Sequence, residues 1–214
     1  MQTPTKPESQ NENAWEVLPD ARVVEETLGA LKARGFKAEL VPGREAALKL
    51  VQSLIPAGGQ VMTGSSRTLD EIGFTALLTS GSHPWVNLKA QIVAEKDGEK
   101  QMELRRRAIF ADYFLGSVHA ITRSGEMVAG SASGSQLAAY AFGGKNLILV
   151  AGTQKITADL NEAFRRLREH TTPLEDRRMK GLGAPGTYLS RIIVLEREAR
   201  RSVHVVLVNE KLGF

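Results

Sequence analysis

Apolar positions along the chain alternate between helical and extended spacing. After Asp20, an N-cap residue type, Val24, Leu28 and Leu31 recur at i, i+4 and i+7. That spacing sets them on one face of a helix, which Gly35 stops. Residues 36–41 follow as a short strand. A helix over residues 44–55 carries Ala47, Leu50, Val51 and Leu54 as its buried stripe, and Pro56 ends it. Residues 60–63 form a short apolar strand. Thr68 and Glu71 then have capping-box spacing, so Thr68 is expected to cap the next helix. Residues 99–111 read as helix. Residues 118–122 and 126–129 read as a hairpin turned at Ser124-Gly125. A helix through Leu137, Tyr140 and Ala141 stops at Gly143-Gly144. Residues 146–151 are continuously apolar, as in a strand buried on both faces. Thr157 is expected to cap a helix with the stripe Leu160, Ala163, Phe164 and Leu167. Its last turn holds Arg165, Arg166, Arg168 and His170 at the negative end of the dipole, with Pro173 beyond. Residues 192–195 and 203–208 are the last strands.

Helix and strand alternate, pause at the hairpin, and alternate again. This predicts an α/β layered domain with a mostly parallel or mixed sheet. Strands around Val61, Leu149, Ile193 and Val206 are expected in one domain over residues 15–214. Residues 1–14, rich in Pro, Asn and Glu, read as a flexible N-terminal arm. The glycine-rich stretch Gly181 to Gly186 reads as a loop or hinge inside the domain.

Composition removes several function classes. The chain has no cysteine, which excludes a disulfide framework, a thiolate metal site, a cysteine nucleophile and an iron–sulfur cluster of its own. His83, His119, His170 and His204 are dispersed without metal-ligand spacing, so no metal is assigned. No segment is apolar for long enough to span a membrane and the first residues hold no apolar signal core, so a soluble cytoplasmic protein is expected. Lys and Arg number 28 against 24 acids. The clusters Arg105-Arg106-Arg107, Arg165-Arg166 and Arg200-Arg201 read as solvated helix faces, and without a recognisable module nucleic-acid binding is not expected.

Three loops offer chemistry. Gly64, Ser65, Ser66, Arg67 and Thr68 join a strand to a helix, where a glycine admits a ligand to the backbone and free N–H groups favour an anion. The same residues also suit a plain turn that caps its helix. Ser133, Gly134 and Ser135 offer further N–H and hydroxyl donors, or a simple connection with Ser133 as cap. Gly152 and Lys155 follow the most apolar strand, where ligands of open α/β sheets sit, and Lys155 suits an anion contact or cover for the next helix. Glu126, ahead of the second loop, is placed for a base or nucleophile, or is an exposed hairpin-tip charge. The chain has no Walker A loop, no G-x-S-x-G elbow, and no G-x-G-x-x-G element following a strand.

Several blocks in order resemble one family. Residues 63–73, TGSSRTLDEIG, resemble the G-G-S-x-T-L-x-E-x-G signature of lactate-utilisation (LUD) domains. Residues 111–122, ADYFLGSVHAIT, are similar to that family's central segment. Residues 133–143, SGSQLAAYAFG, resemble its G-N-R-V-A-A-x-x-F-G stretch; residues 147–156 continue it, and 204–214 resemble its carboxyl end. The resemblance covers about residues 20–214 and points to the lactate-utilisation protein C group. It implies a NagB/RpiA/CoA-transferase-like fold and a place beside iron–sulfur subunits that oxidise L-lactate to pyruvate. Two departures stand out: residues 181–191 lack the cysteines many relatives carry there, and Ser135 and Gln136 replace the motif's asparagine and arginine. The expectation is an accessory subunit that binds a small anionic metabolite or a partner, without a cofactor that the sequence identifies. The alternatives are an isomerase or CoA-transferase-like enzyme acting on a phosphorylated sugar or acyl-CoA, with Lys155 or Glu126 as the working group, and a scaffold with no small-molecule site.

Overall fold

The structure, a computed structural model, describes residues 14–214. The expected arm lies outside the described residues except for Ala14, which opens a 3-10 turn, Ala14–Glu16. Then come α1 (Ala21–Ala33), β1 (Lys37–Val41), α2 (Arg44–Ser53), β2 (Gln60–Thr63), α3 (Arg67–Glu71), α4 (Phe74–Ser80), β3 (Val86–Asn87), α5 (Leu88–Ala94) and α6 (Gly98–Arg107). The chain continues with β4 (Tyr113–Gly116), β5 (Ala120–Thr122), β6 (Met127–Ser131), α7 (Ser135–Ala138), β7 (Asn146–Gly152), β8 (Ile156–Thr157), α8 (Leu160–Arg165), α9 (Thr172–Gly181), β9 (Arg191–Leu195) and β10 (Ser202–Val208).

Six strands form a parallel sheet in the order β1-β10-β7-β4-β2-β3. A smaller mixed sheet runs β8-β5-β6-β9, its centre the antiparallel hairpin β5–β6. The run in β7 explains the layering. Leu147, Leu149 and Ala151 face one core, while Ile148 and Val150 face another, so both sides of the parallel sheet are covered. One core is closed by α2, α3 and α4 through Ala47, Val51, Leu69 and Phe74. The other takes Leu31 of α1 together with Ile121, Met127 and Ala129 of the smaller sheet. Ile193 and Leu195 of β9 pack on this same cluster, which joins the second sheet to the first. The outer face of the smaller sheet, at Ala120 and Val128, packs on Ala163 of α8 and on Leu167 in the turn that follows it.

Local signals were overridden at three points. Asp20 occupies the N-cap of α1 but makes no side-chain cap bond. Ser66, not Thr68, caps α3 by accepting from the Leu69 N–H at 3.3 Å, because the Thr68 hydroxyl is drawn inward to Lys155. Asp159, not Thr157, caps α8 by accepting from the Glu162 N–H at 2.9 Å, while Thr157 pairs with Thr122 in β8. The helix also does not end before Pro173. A π-helical turn, Arg166–Thr171, carries it into α9. Proline has no N–H to give the preceding turn, and the Thr172 hydroxyl takes the Leu167 carbonyl at 2.7 Å. Arg166 and His170 are consequently buried rather than placed at an exposed helix end.

Candidate functional site

In a parallel sheet the loops after the strands emerge together at the carboxyl edge. A cleft of about 440 Å³ opens there, bounded by the loops after β2, β4 and β6 and by helices α5, α6 and α9. Gly64, Ser65, Ser66, Arg67 and Thr68 line it from one side, Ser133 and Ser135 from another, and Lys155 from below. Gln136 ties the two serine loops together. Its amide donates to the Gly130 carbonyl at 3.3 Å, and a Cβ on Gly64 would stand 2.7 Å from its Oε1, so a side chain there would push the glutamine amide aside.

Lys155 lies in the 3-10 turn between β7 and β8, and only 2% of its surface is exposed. Its Nζ donates to Thr68 Oγ1 (3.0 Å), Ser117 Oγ (3.0 Å) and the Val118 carbonyl (3.2 Å). Burial pushes its pKa down from 10.5 to about 7; Arg166 adds repulsion and Glu71 opposes it. His119, also on the cleft wall, accepts the Gly130 N–H on Nδ1 at 2.9 Å. Burial, with Lys155 and Arg166 nearby, holds it near 3, so it is a neutral imidazole at physiological pH. Tyr140 donates to the Ser117 carbonyl at 3.0 Å, and burial raises its phenol above its ordinary range.

Two more cations, from α5 and α6, line the cleft. Lys89 of α5 is half-buried, with Nζ 3.4 Å from Thr63 Oγ1; burial lowers its pKa, Asp70 opposes the shift and Arg105 reinforces it. Arg105 of α6 reaches the cleft. The other two arginines of that run, Arg106 and Arg107, pair with Glu103 at 3.8 and 2.9 Å. Among the described residues Lys89, Arg105 and Lys155 form no ion pair with a carboxylate. Of the acids nearby, Glu71 bonds Arg67 (2.9 Å) and the Gly213 N–H (2.6 Å), Glu175 grips Arg178 with two bonds of 2.7 Å, and exposed Asp70 acts on Lys89 through space without an ion-pair contact.

Glu126 is not brought to the cleft. It sits at the hairpin turn, bonded to Arg34, Thr122 and Ser124, and these hydrogen bonds and the guanidinium hold its carboxyl below the usual range against the effect of burial. Gly152 is also absent from the cleft wall: a Cβ there would fall on Gln154 Oε1 and the Glu210 carbonyl, so it is a packing glycine. Gly134 takes a left-handed φ of +80° at the start of α7, with Arg191 against it. Lys89, Arg105, Ser117, His119, Gln136 and Tyr140 were not singled out by the sequence reading as site residues. Arg105 alone had a usable signal: adjacent helical residues point about 100° apart, so a run of three cannot share one solvated face. Among the described residues no group of His, Cys, Asp or Glu is arranged to hold a metal ion. No helix among them is long and apolar enough to cross a membrane.

A layered α/β protein with a cation-lined cleft at the carboxyl edge of a parallel sheet is thus the class that fold and site define. The LUD domain family model matches residues 24–208, and the chain belongs to that family. Its fold is similar to the crystal structure of a DUF162 family protein from Deinococcus radiodurans, with a TM-score of 0.54 and 12% identity. The superposition covers 90% of this chain and all of that one, and at this identity it speaks for the fold. No curated protein sequence matches the chain.

Proposed function

We propose that the cleft binds a small anionic metabolite and that the chain serves as an accessory LUD subunit in the oxidation of L-lactate to pyruvate, beside iron–sulfur partner subunits. The observation that carries the anion reading is the charge imbalance. Lys89, Arg105 and Lys155 line one cleft, and among the described residues none of them is in ion-pair contact with a carboxylate, Asp70 and Glu71 acting on Lys89 and Lys155 only through space. Lys155 is buried and Lys89 partly so, and a cation taken out of water without a paired counter-ion is unfavourable; a bound carboxylate or phosphate relieves that, while exposed Arg105 adds its charge from the solvent side. Hydroxyls of Ser65, Ser66, Ser133 and Ser135 add donors around the same space. The lactate role is drawn from family membership, and the lack of cysteine supports a partner as the holder of any thiolate-bound iron–sulfur cluster.

The test is calorimetry and thermal shift with L-lactate, pyruvate, inorganic phosphate and a CoA ester, at low and physiological salt. One charge-assisted contact contributes about 1.5–3 kcal/mol, so Lys89→Met should weaken the preferred anion at least about tenfold. Binding of no anion, or binding unchanged in that variant, overturns the reading. For the accessory role, the purified chain with an artificial electron acceptor should be silent toward L-lactate, and turnover should appear only with iron–sulfur partner subunits.

A further inference from the structure

We infer that Lys155 is a nucleophile that forms an imine with the carbonyl carbon of a small anionic carbonyl compound held in the cleft. The inference rests on the anion reading and names its substrate class. Its first support is placement. Lys155 lies at the bottom of the cleft, where Nζ touches Thr68, Ser117 and Val118, all of which line the same space. A second is the kind of partner it has. Lys155 is held by hydroxyls and one carbonyl, with no carboxylate within ion-pair distance among the described residues. A carboxylate would lock the ammonium form; a hydroxyl serves an amine as donor or acceptor, so Thr68 and Ser117 suit the neutral amine as well as its ion. The third is charge. Arg166, buried behind the His119 carbonyl and bonded to it, repels a proton on Lys155. With its pKa brought to about 7, a substantial part of Lys155 is the free amine at physiological pH, the form that attacks a carbonyl.

Division of labour follows. Lys89 and Arg105 line the same cleft from α5 and α6, as do the apolar side chains of Ile92 and Phe114, and the two cations meet the anionic group. The carbonyl carbon is then directed at the floor. The Lys155 amine attacks that carbon, its lone pair forming the C–N bond while the C=O π electrons move to oxygen. In two transfers the nitrogen gives up both of its protons and the oxygen takes up two, the first giving the neutral carbinolamine and the second letting the C–O bond break as water leaves. One C=N bond replaces one C=O bond, nothing is oxidised or reduced, and no co-reactant is needed. The hydroxyls of Thr68 and Ser117, each at 3.0 Å from Nζ, are placed to pass these protons.

The test is reductive trapping. The full chain is incubated with glyoxylate or pyruvate, reduced with sodium borohydride, and examined by intact mass and peptide mapping, while calorimetry follows binding of the same compounds without reductant. The expected result is a single adduct on Lys155, absent in Lys155→Met and in Lys155→Arg, the latter keeping the positive charge. Its yield in the wild type should rise with pH through about 7. Lys89→Met should lower the yield at limiting carbonyl compound and restore it at saturation. Binding without an adduct, or an adduct spread over surface lysines, overturns the inference and leaves the anion reading standing. Binding of no anion by the wild type overturns both. Mapping of the wild-type adduct decides the matter even where a Lys155 variant fails to fold.

Discussion

Replacing Lys155 by methionine should uncouple the protein's stability from alkaline pH. The lysine's pKa is about 7 in the folded chain against 10.5 as the ordinary value. Its folded pKa is therefore depressed, so between those values the unfolded chain binds more protons and stability rises with pH. Below about pH 7 the folded chain bears the full penalty of a buried ammonium; above 10.5 the penalty is gone. Each pKa unit corresponds to about 1.4 kcal/mol, so stability relative to Lys155→Met should climb by at most about 1.4 kcal/mol per pH unit within that window. From pH 7.5 to 9.5 the climb should amount to about 2–3 kcal/mol. The variant should fold, because the remaining groups pair with one another: Thr68 Oγ1 lies 3.2 Å from Ser117 Oγ, which lies 3.2 Å from the Val118 oxygen. His119, held near 3, titrates well below the window, and Lys89 is present in both proteins and cancels. Urea unfolding of both proteins at half-unit steps from pH 6.5 to 9.5 gives the difference directly. A difference that stays flat across that range would refute the account of Lys155 as a desolvated amine.

Other substitutions separate the cleft from its surroundings. Arg166→Met removes a charge that repels Lys155, so the alkaline climb should begin at a higher pH, read from the same unfolding series; an unchanged onset removes Arg166 as a source of the shift. Glu126→Gln should leave anion affinity unchanged while lowering stability at neutral pH by about 1–3 kcal/mol through the lost Arg34 contact. The folded carboxyl sits below the ordinary 4.5, so that contribution is present above 4.5 and lost as pH falls through the folded value, and the variant should lack this acid-dependent loss. Gly152→Ala forces a methyl group onto the Glu210 carbonyl and Gln154, and should destabilise the chain by about 1–3 kcal/mol in urea unfolding.

The strands were legible where apolar residues run without interruption. Residues 147–151 and 205–208 stand in the parallel sheet as their pattern required, because burial on both faces leaves no position there for a polar side chain. The two-residue strand β3 was not legible, since Val86–Asn87 is too short to show a period. Caps were misread for a different reason. Ser66 and Thr68 both have capping hydroxyls, and the choice between them is made by Lys155, which lies far along the chain. The cleft was half legible. Gly64 to Thr68, Ser133, Ser135 and Lys155 stand together at its wall, because loops after parallel strands share an edge. Lys89 and Arg105 escaped notice because each resembles an ordinary helical surface cation until α5 and α6 are folded over the sheet. Glu126 misled because its partner Arg34 comes from the end of α1, which no local pattern ties to the hairpin.

The path of the backbone around Lys155 has one more consequence. The chain leaves the parallel sheet at the end of β7, turns through Thr153–Lys155, and enters the mixed sheet at β8. It makes the same passage a second time, from β4 through Ser117 and Val118 to β5. Lys155 belongs to the first passage and bonds the second, so a single amine stitches both crossings at the joint between the two sheets. Whatever alters that amine, a proton or a bound molecule, acts on the joint rather than on the cleft alone. Occupancy of the cleft should then be felt as slower amide exchange in β4 and β7 on one side and in β5 and β8 on the other, as though a rivet between two plates had been tightened.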